Sequence, residues 1–411
     1  MNARIGKADA YLITASLMVA ISLLNVVAWS LGLYVTPFLA LFVAVIFFLI
    51  YAKGSPSSLI ILAVFLLFTV LILGGPVWAW DARSIWFFHA KRIFFDGSLY
   101  AQLDDYVPTS HNDYPDLVPA AAASIAKTLG YWNEIFPRLA VLPVLFPAFL
   151  VFRRLIAKHE IFALWLAGTL IICRKMLLNG YMDAILALYC AAATLLITIT
   201  YSRNMNAKPA EGENVALMAL FWIIATLPFI KNEGLLASVI MTGILFTNFR
   251  RYKVLIFFLL VSLAFYFLIW KLEVIQHHVQ TDIFSEGFVQ RGMARISDWA
   301  SISMILGKYL AVSFWALPLL ILFVYIGPKS VPTVPVVLFV AIYSIAMMTI
   351  YLITPMDLLW HLRSSAYRTY LVTNFCVYSW VIYSLDRALV EPAAEADLPK
   401  PNFNSAAMTT R

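Results

Sequence analysis

Val77-Trp-Ala-Trp-Asp-Ala-Arg-Ser-Ile-Trp-Phe-Phe-His-Ala-Lys91 sets a carboxylate, Asp81, directly after a long apolar run. A run of that length reads as a membrane-crossing helix, and the acid at its mouth as a functional-site candidate, because a carboxylate is costly to keep at that depth. The plainer reading is an interfacial acid paired with Arg83 or Lys91. Beyond Asp81 the pattern is amphipathic: Trp86, Phe87, Ala90, Ile93 and Phe94 share one helical face, and His89, Arg92 and Asp96 share another. The spacing predicts a helix lying along the membrane surface with its aromatic side in the headgroups.

The remainder of the chain has the same character. Hydrophobic residues make up 63% and charged residues 12%, which excludes a soluble domain and implies a polytopic all-α membrane protein. Apolar segments at 10–32, 36–52, 58–78, 134–152, 160–174, 183–201, 215–230, 234–249, 254–271, 305–326, 332–353 and 369–386 predict about twelve transmembrane helices. They make one membrane domain over 1–387, with long external loops at 79–133 and 272–304 and a disordered cytoplasmic tail at 388–411. The net charge of +7 is scattered over short loops and forms no stripe suited to nucleic acid. Cys173, Cys190 and Cys376 lie in or beside apolar runs and suggest neither disulfides nor a metal knuckle.

Short-loop charges set the expected orientation. Arg4, Lys7, Lys53, Arg153, Arg154, Lys158, Arg250, Arg251 and Lys253 fall on one side, which the positive-inside rule makes cytoplasmic, with both termini inside. The same threading puts Asp81, the 79–133 loop, Asp183, Lys231-Asn-Glu-Gly234, the 272–304 loop and Thr354–Arg368 together on the external face of an inner membrane. Acids, bases and aromatics from the whole length of the chain thus converge on one surface, the layout of a composite site.

The chemistry of these stretches is consistent. Asp81 suits a general base, and Asp183, at the outer start of the sixth segment, a second carboxylate that positions an acceptor. Lys231, with Arg174, Lys175 and Arg368, suits a cationic cradle for a lipid phosphate, with Glu233 orienting Lys231. His361 and Arg363 suit a donor pair for the same phosphate or leaving group. In the first long loop, Asp104-Asp105-Tyr-Val-Pro-Thr-Ser-His-Asn-Asp-Tyr-Pro-Asp116 is rich in turn formers and hydrogen-bonding groups, so His111, Asp113 and Tyr114, with His89, are candidates for contact with a hydroxyl-rich acceptor. Residues 117–130 read as a re-entrant or interfacial helix, with an additional partial span as the alternative. His277 and His278, with Asp282 and Glu286, look metal-like, but adjacent histidines on a helix do not face one ion.

Trp80-Asp81, Tyr114-Pro115, Gly180-Tyr-Met-Asp183, Lys231-Asn-Glu-Gly234 and Thr354-Pro-Met-Asp-Leu-Leu-Trp-His-Leu-Arg-Ser-Ser-Ala-Tyr-Arg368 resemble the C-type (GT-C fold) superfamily of integral-membrane glycosyltransferases. Within it, the chain is most similar to the bacterial protein-mannosyltransferase and aminoarabinose-transferase group. The resemblance covers roughly residues 78–370 and departs in two respects: two segments precede the one leading to the acidic loop, and no soluble domain follows the last segment. It implies a polyprenyl-phosphate-linked sugar as donor, an inverting transfer to a glycan, lipid or protein acceptor, catalysis by Asp81 with Asp183, and phosphate recognition by Lys231 and Arg368. A divalent ion joining Asp81 and Asp183 is compatible with two carboxylates, but no metal is expected. The alternatives are a transporter or flippase for a lipid-linked saccharide and a non-catalytic subunit of a membrane complex.

Overall fold

The computed structural model describes residues 7–37, 39–42, 45, 56–201, 212–281 and 286–396, and every regular element among them is helical. At the centre stands α7 (Met182–Tyr201), with residues 182–198 all buried. Its alanines at 184, 187 and 191–193 present little side chain, so neighbouring backbones approach closely, the usual route to tight helix association in an apolar surround. Around it pack α5 (Val141–Leu155), α8 (Glu213–Ile230), α15 (Val334–Ile353) and α17 (Leu371–Ala396). A second group joins α1 (Lys7–Ser30) to α5, α8 and α4 (Leu117–Leu129).

Toward the outside the pattern inverts. Helix α10 (Phe249–Tyr266) exposes Val254, Phe257, Phe258, Leu260, Val261 and Phe265, an apolar surface suited to a lipid surround. Six described helices have the length and composition to cross a membrane: Asp9–Ser30, Phe136–Leu155, Met182–Tyr201, Glu213–Ile230, Phe249–Gln276 and Val334–Ile353. A seventh crossing arises if Trp299–Val312 and Ala316–Ile326, bent by 66°, form one span. The chain is therefore a multi-pass membrane protein, with six or seven helices of spanning length among the described residues against the twelve expected. Three expected segments, Ser58–Leu73, His159–Cys173 and Asn232–Phe246, are shorter apolar helices, and most of 36–52 lies outside the described residues.

The helices alternate in direction, so polar groups gather at two ends. At one end Asp9 meets Arg154 at 3.8 Å, Glu213 pairs with Arg251, and Asp386 accepts from the backbone N–H of Ala157 and Lys158, each at 2.9 Å. Of the basic residues expected to share a face, Arg153, Arg154, Lys158 and Arg251 are at this end, and Arg4 and Lys53 lie outside the described residues. At the other end lie Asp81, Asp183, Lys231 and Arg368.

Several local expectations are corrected. The segment after Asp81 is helical, a π turn over Ala82–Trp86 followed by α3 (Phe87–Asp96), but it does not lie with its aromatic face outward. Trp86 and Phe87 are buried in protein, as are His89 and Arg92 on the polar side, and the exposed aromatics are Trp78, Trp80 and Phe95. In helix α4 residues 117–126 are all buried, packed against α1, α3 and the 136–140 turn, which does not suit the interfacial form of that reading. Helix α17 carries on to Ala396, into the stretch expected to be disordered; residues 397–411 lie outside the described residues.

Candidate functional site

Two turns build the site. In Gly180-Tyr-Met-Asp183, Gly180 has a φ of +85°, and a Cβ there would come within 2.5 Å of Phe87 Cε2. Glycine is thus required both for the left-handed backbone and for contact with the helix that follows Asp81. In Lys231-Asn-Glu-Gly234, extended Lys231 separates α8 from α9 (Asn232–Phe246), and a Cβ on Gly234 would sit 1.9 Å from the Leu227 carbonyl. The tight reversal turns the Lys231 side chain inward at the start of α7.

The charges form one network. Lys231 Nζ lies 3.0 Å from Asp183 Oδ1 and 2.8 Å from Glu233 Oε1, and it stands 6.0 Å from the centre of the Tyr114 ring. Arg368, in the last turn of α16 (Leu358–Thr369), donates from Nη1 to Asp81 Oδ2, and its guanidinium lies 5.1 Å from the centre of the Tyr181 ring. The Arg368 charge also acts on Asp183, which links the two pairs. Burial works against the charge on Lys231, but the Asp183 and Glu233 carboxylates outweigh it and hold its pKa above the ordinary lysine value. Burial opposes the Arg368 charge too, and Asp183 and Asp81 raise its pKa in the same way. The two pairs differ in access. Arg368 and Asp81 are 23% and 19% exposed, whereas Lys231 and Asp183 are 10% and 3%.

The 79–133 loop closes over this network through polar contacts. Asn232 Nδ2 donates to Asp113 Oδ2 at 2.8 Å, Lys271 Nζ donates to Asn232 Oδ1 at 3.0 Å, and Trp270 Nε1 donates to the Asp113 carbonyl at 3.1 Å. Tyr114 stacks on His111 at 5.0 Å and packs on Trp86 at 5.4 Å. Of the loop candidates, Asp113, Tyr114 and His111 therefore stand beside the network. His89 does not: fully buried, it meets Asp116 Oδ1 through Nδ1 and the Ser110 carbonyl through Nε2, both at 2.9 Å, and Arg92 joins Asp116 at 3.3 Å. It is a strut that folds the loop, out of an acceptor's reach.

Of the expected pair, Arg363 turns away from the network, whereas His361 shares the face of α16 that carries Arg368. His361 lies seven residues before Arg368, about 10 Å along the helix, with its ring 5.0 Å from that of Tyr351. Arg363 is exposed and sits about 140° around α16 from Arg368. Arg174 is at the rim, its guanidinium 5.8 Å from the centre of the Tyr367 ring, and the side chain of Lys175 lies outside what the structure describes. In the 272–304 loop, His277 approaches Asp104 at 3.4 Å and Glu273 at 3.8 Å, while Asp282 is outside the described residues. Among the described residues no three His, Cys, Asp or Glu side chains cluster as metal ligands.

Sequence reasoning missed Arg138 and Lys271. Buried Arg138 donates to the carbonyls of Ile72, Gly75 and Leu178, which ties the approach to Asp81 to the approach to Gly180. Each is a lone cation at the edge of an apolar stretch, the signal that could have found it. No family model, curated protein or solved structure matches the chain.

Proposed function

We propose that the protein is a GT-C-like glycosyltransferase of the inner membrane, acting at its external face on a polyprenyl-phosphate-linked sugar. The observation that carries this reading is the linked pair of ion pairs, Arg368–Asp81 and Lys231–Asp183–Glu233, drawn from distant parts of the chain to one end of the bundle. The twelve-span count belongs to the same proposal, as do the cytoplasmic termini and periplasmic site, which Arg153, Arg154, Lys158 and Arg251 at the opposite end support.

The difference in exposure assigns the roles. Of the two cations in the network, Arg368 is the one a lipid phosphate reaches first, and its planar fork matches a phosphate as well as a carboxylate. A phosphate that takes the place of Asp81 on Arg368 leaves Asp81 free to act as base. The acceptor hydroxyl then attacks the anomeric carbon from the face opposite the phosphate, its proton passes to Asp81, and the sugar–phosphate C–O bond breaks with both electrons going to the departing polyprenyl phosphate. Arg368 stabilises that negative charge. Lys231, enclosed by two carboxylates, holds Asp183 in place instead of forming part of an open cradle.

The test uses purified protein, a panel of polyprenyl-phosphate sugars and a set of glycan, lipid and protein acceptors, with release of free polyprenyl phosphate as readout. Turnover by the wild type that falls by about a hundred- to ten-thousandfold in Asp81→Asn, with donor binding retained, is the expected result. Full activity in Asp81→Asn refutes the assignment of the base. Binding of donors without consumption in the wild type refutes the transferase and favours a carrier of lipid-linked saccharides.

A further inference from the structure

Helix α12 (Phe288–Ser297) is amphipathic with its polarity reversed relative to a helix on a water-exposed surface. Its basic face turns toward the protein. Arg295 Nη1 donates to the carbonyls of Tyr351, Leu352 and Thr354 at 3.1, 3.1 and 2.8 Å, and Arg295 Nη2 donates to that of Met356 at 3.1 Å. Arg291 Nε adds a bond to Ile353 O at 3.2 Å. Two guanidiniums thus cap the C-terminal carbonyls of the spanning helix α15, where the helix dipole favours positive charge. Gly292 lets the two helices meet, since a Cβ there would lie 3.1 Å from Ile353 Cγ2.

The opposite face is apolar and open. Val289, Met293 and Ile296 follow helical spacing and are 55%, 61% and 52% exposed, and Trp299, which follows the extended Asp298 at the start of the next helix, is exposed as well. Exposed Met304, Leu306 and Leu310 extend the apolar stripe along Trp299–Val312, the first half of the bent apolar pair. Because Arg295 holds α12 at the end of a membrane span, the helix is fixed at the depth of the lipid headgroups. We infer that the Val289–Met293–Ile296–Trp299 face is embedded in the bilayer surface, a lipid-docking edge beside the segment that leads into α16. The occupant is the bilayer itself, since the stripe is continuous with span-forming surface and its depth is set by the capped span. The inference does not depend on the proposed activity.

The experiment uses the full chain with Met293→Cys, and separately Ile296→Cys, each labelled with an environment-sensitive fluorophore and reconstituted into phosphatidylethanolamine/phosphatidylglycerol vesicles. Cys173, Cys190 and Cys376 are buried, so the unsubstituted chain reports background labelling. Asp105→Cys, on an exposed loop, is the aqueous reference. The expected result is blue-shifted emission at 293 and 296, strong quenching by lipids carrying a nitroxide near the headgroup, and loss of the iodide quenching seen at 105. Iodide quenching equal to that at 105 overturns the inference. So does protection from both quenchers, which would mean that a protein surface covers the stripe.

Discussion

Replacing Lys231 with methionine removes the cation and leaves two carboxylates in its place. Asp183 Oδ1 and Glu233 Oε1 lie 3.0 and 2.8 Å from Nζ, with side-chain exposures of 3% and 13%. At an effective dielectric of about 20, each contact is worth about 5–6 kcal/mol of gross attraction, most of it offset by the cost of taking the three charges out of water. Removing one partner keeps that cost and loses the attraction, so Lys231→Met is expected to destabilise by about 3–5 kcal/mol. The variant Lys231→Met/Asp183→Asn/Glu233→Gln removes all three charges at nearly constant volume and is expected to recover more than half of the loss. The assay is unfolding in mixed micelles of rising dodecyl sulfate content, followed by the helical circular dichroism signal. A single variant as stable as the wild type, or a triple variant no better than the single, refutes the claim that these groups form one desolvated unit.

Two further expectations follow from the same geometry. Gly180→Ala places a methyl group 2.5 Å from Phe87 Cε2 at a φ of +85° and should cost about 1–3 kcal/mol in the same assay; a neutral effect would show that the turn does not hold α3 against α7. The pKa of Lys231 is raised on folding, so its contribution is complete below the unfolded value of about 10.4 and is lost as pH rises through the folded value. The stability difference between wild type and Lys231→Met should therefore stay level from about pH 7 to about pH 10. A decline across that range would contradict the raised pKa.

The fold class was legible in the chain because apolar runs of spanning length need no tertiary information: a helix satisfies its own backbone hydrogen bonds in lipid. That the four charged residues share one end was legible for a related reason. Once the runs alternate in direction, the ends to which Asp81, Asp183, Lys231 and Arg368 belong follow from order along the chain, and the structure brings all four together. The Lys231-Asn-Glu-Gly234 turn was visible too, although why it needs glycine was not, since the clash with the Leu227 carbonyl depends on how sharply α8 reverses into α9.

Tertiary structure decided which faces are buried and which charges meet. Helical periodicity orders side chains around an axis but does not say what lies on either side of it, so the His89–Arg92 face of α3 looked solvent-facing and is instead closed by Asp116. The same limit hid the reversed polarity of α12, where the arginines spend their donors on the end of α15. Composition and order along the chain settled that this is a helical membrane protein with Asp81, Asp183, Lys231 and Arg368 at one end. Only packing decided that Lys231 is enclosed by two carboxylates while Arg368 and Asp81 stay within reach of a ligand, because burial depends on neighbours far away in the chain.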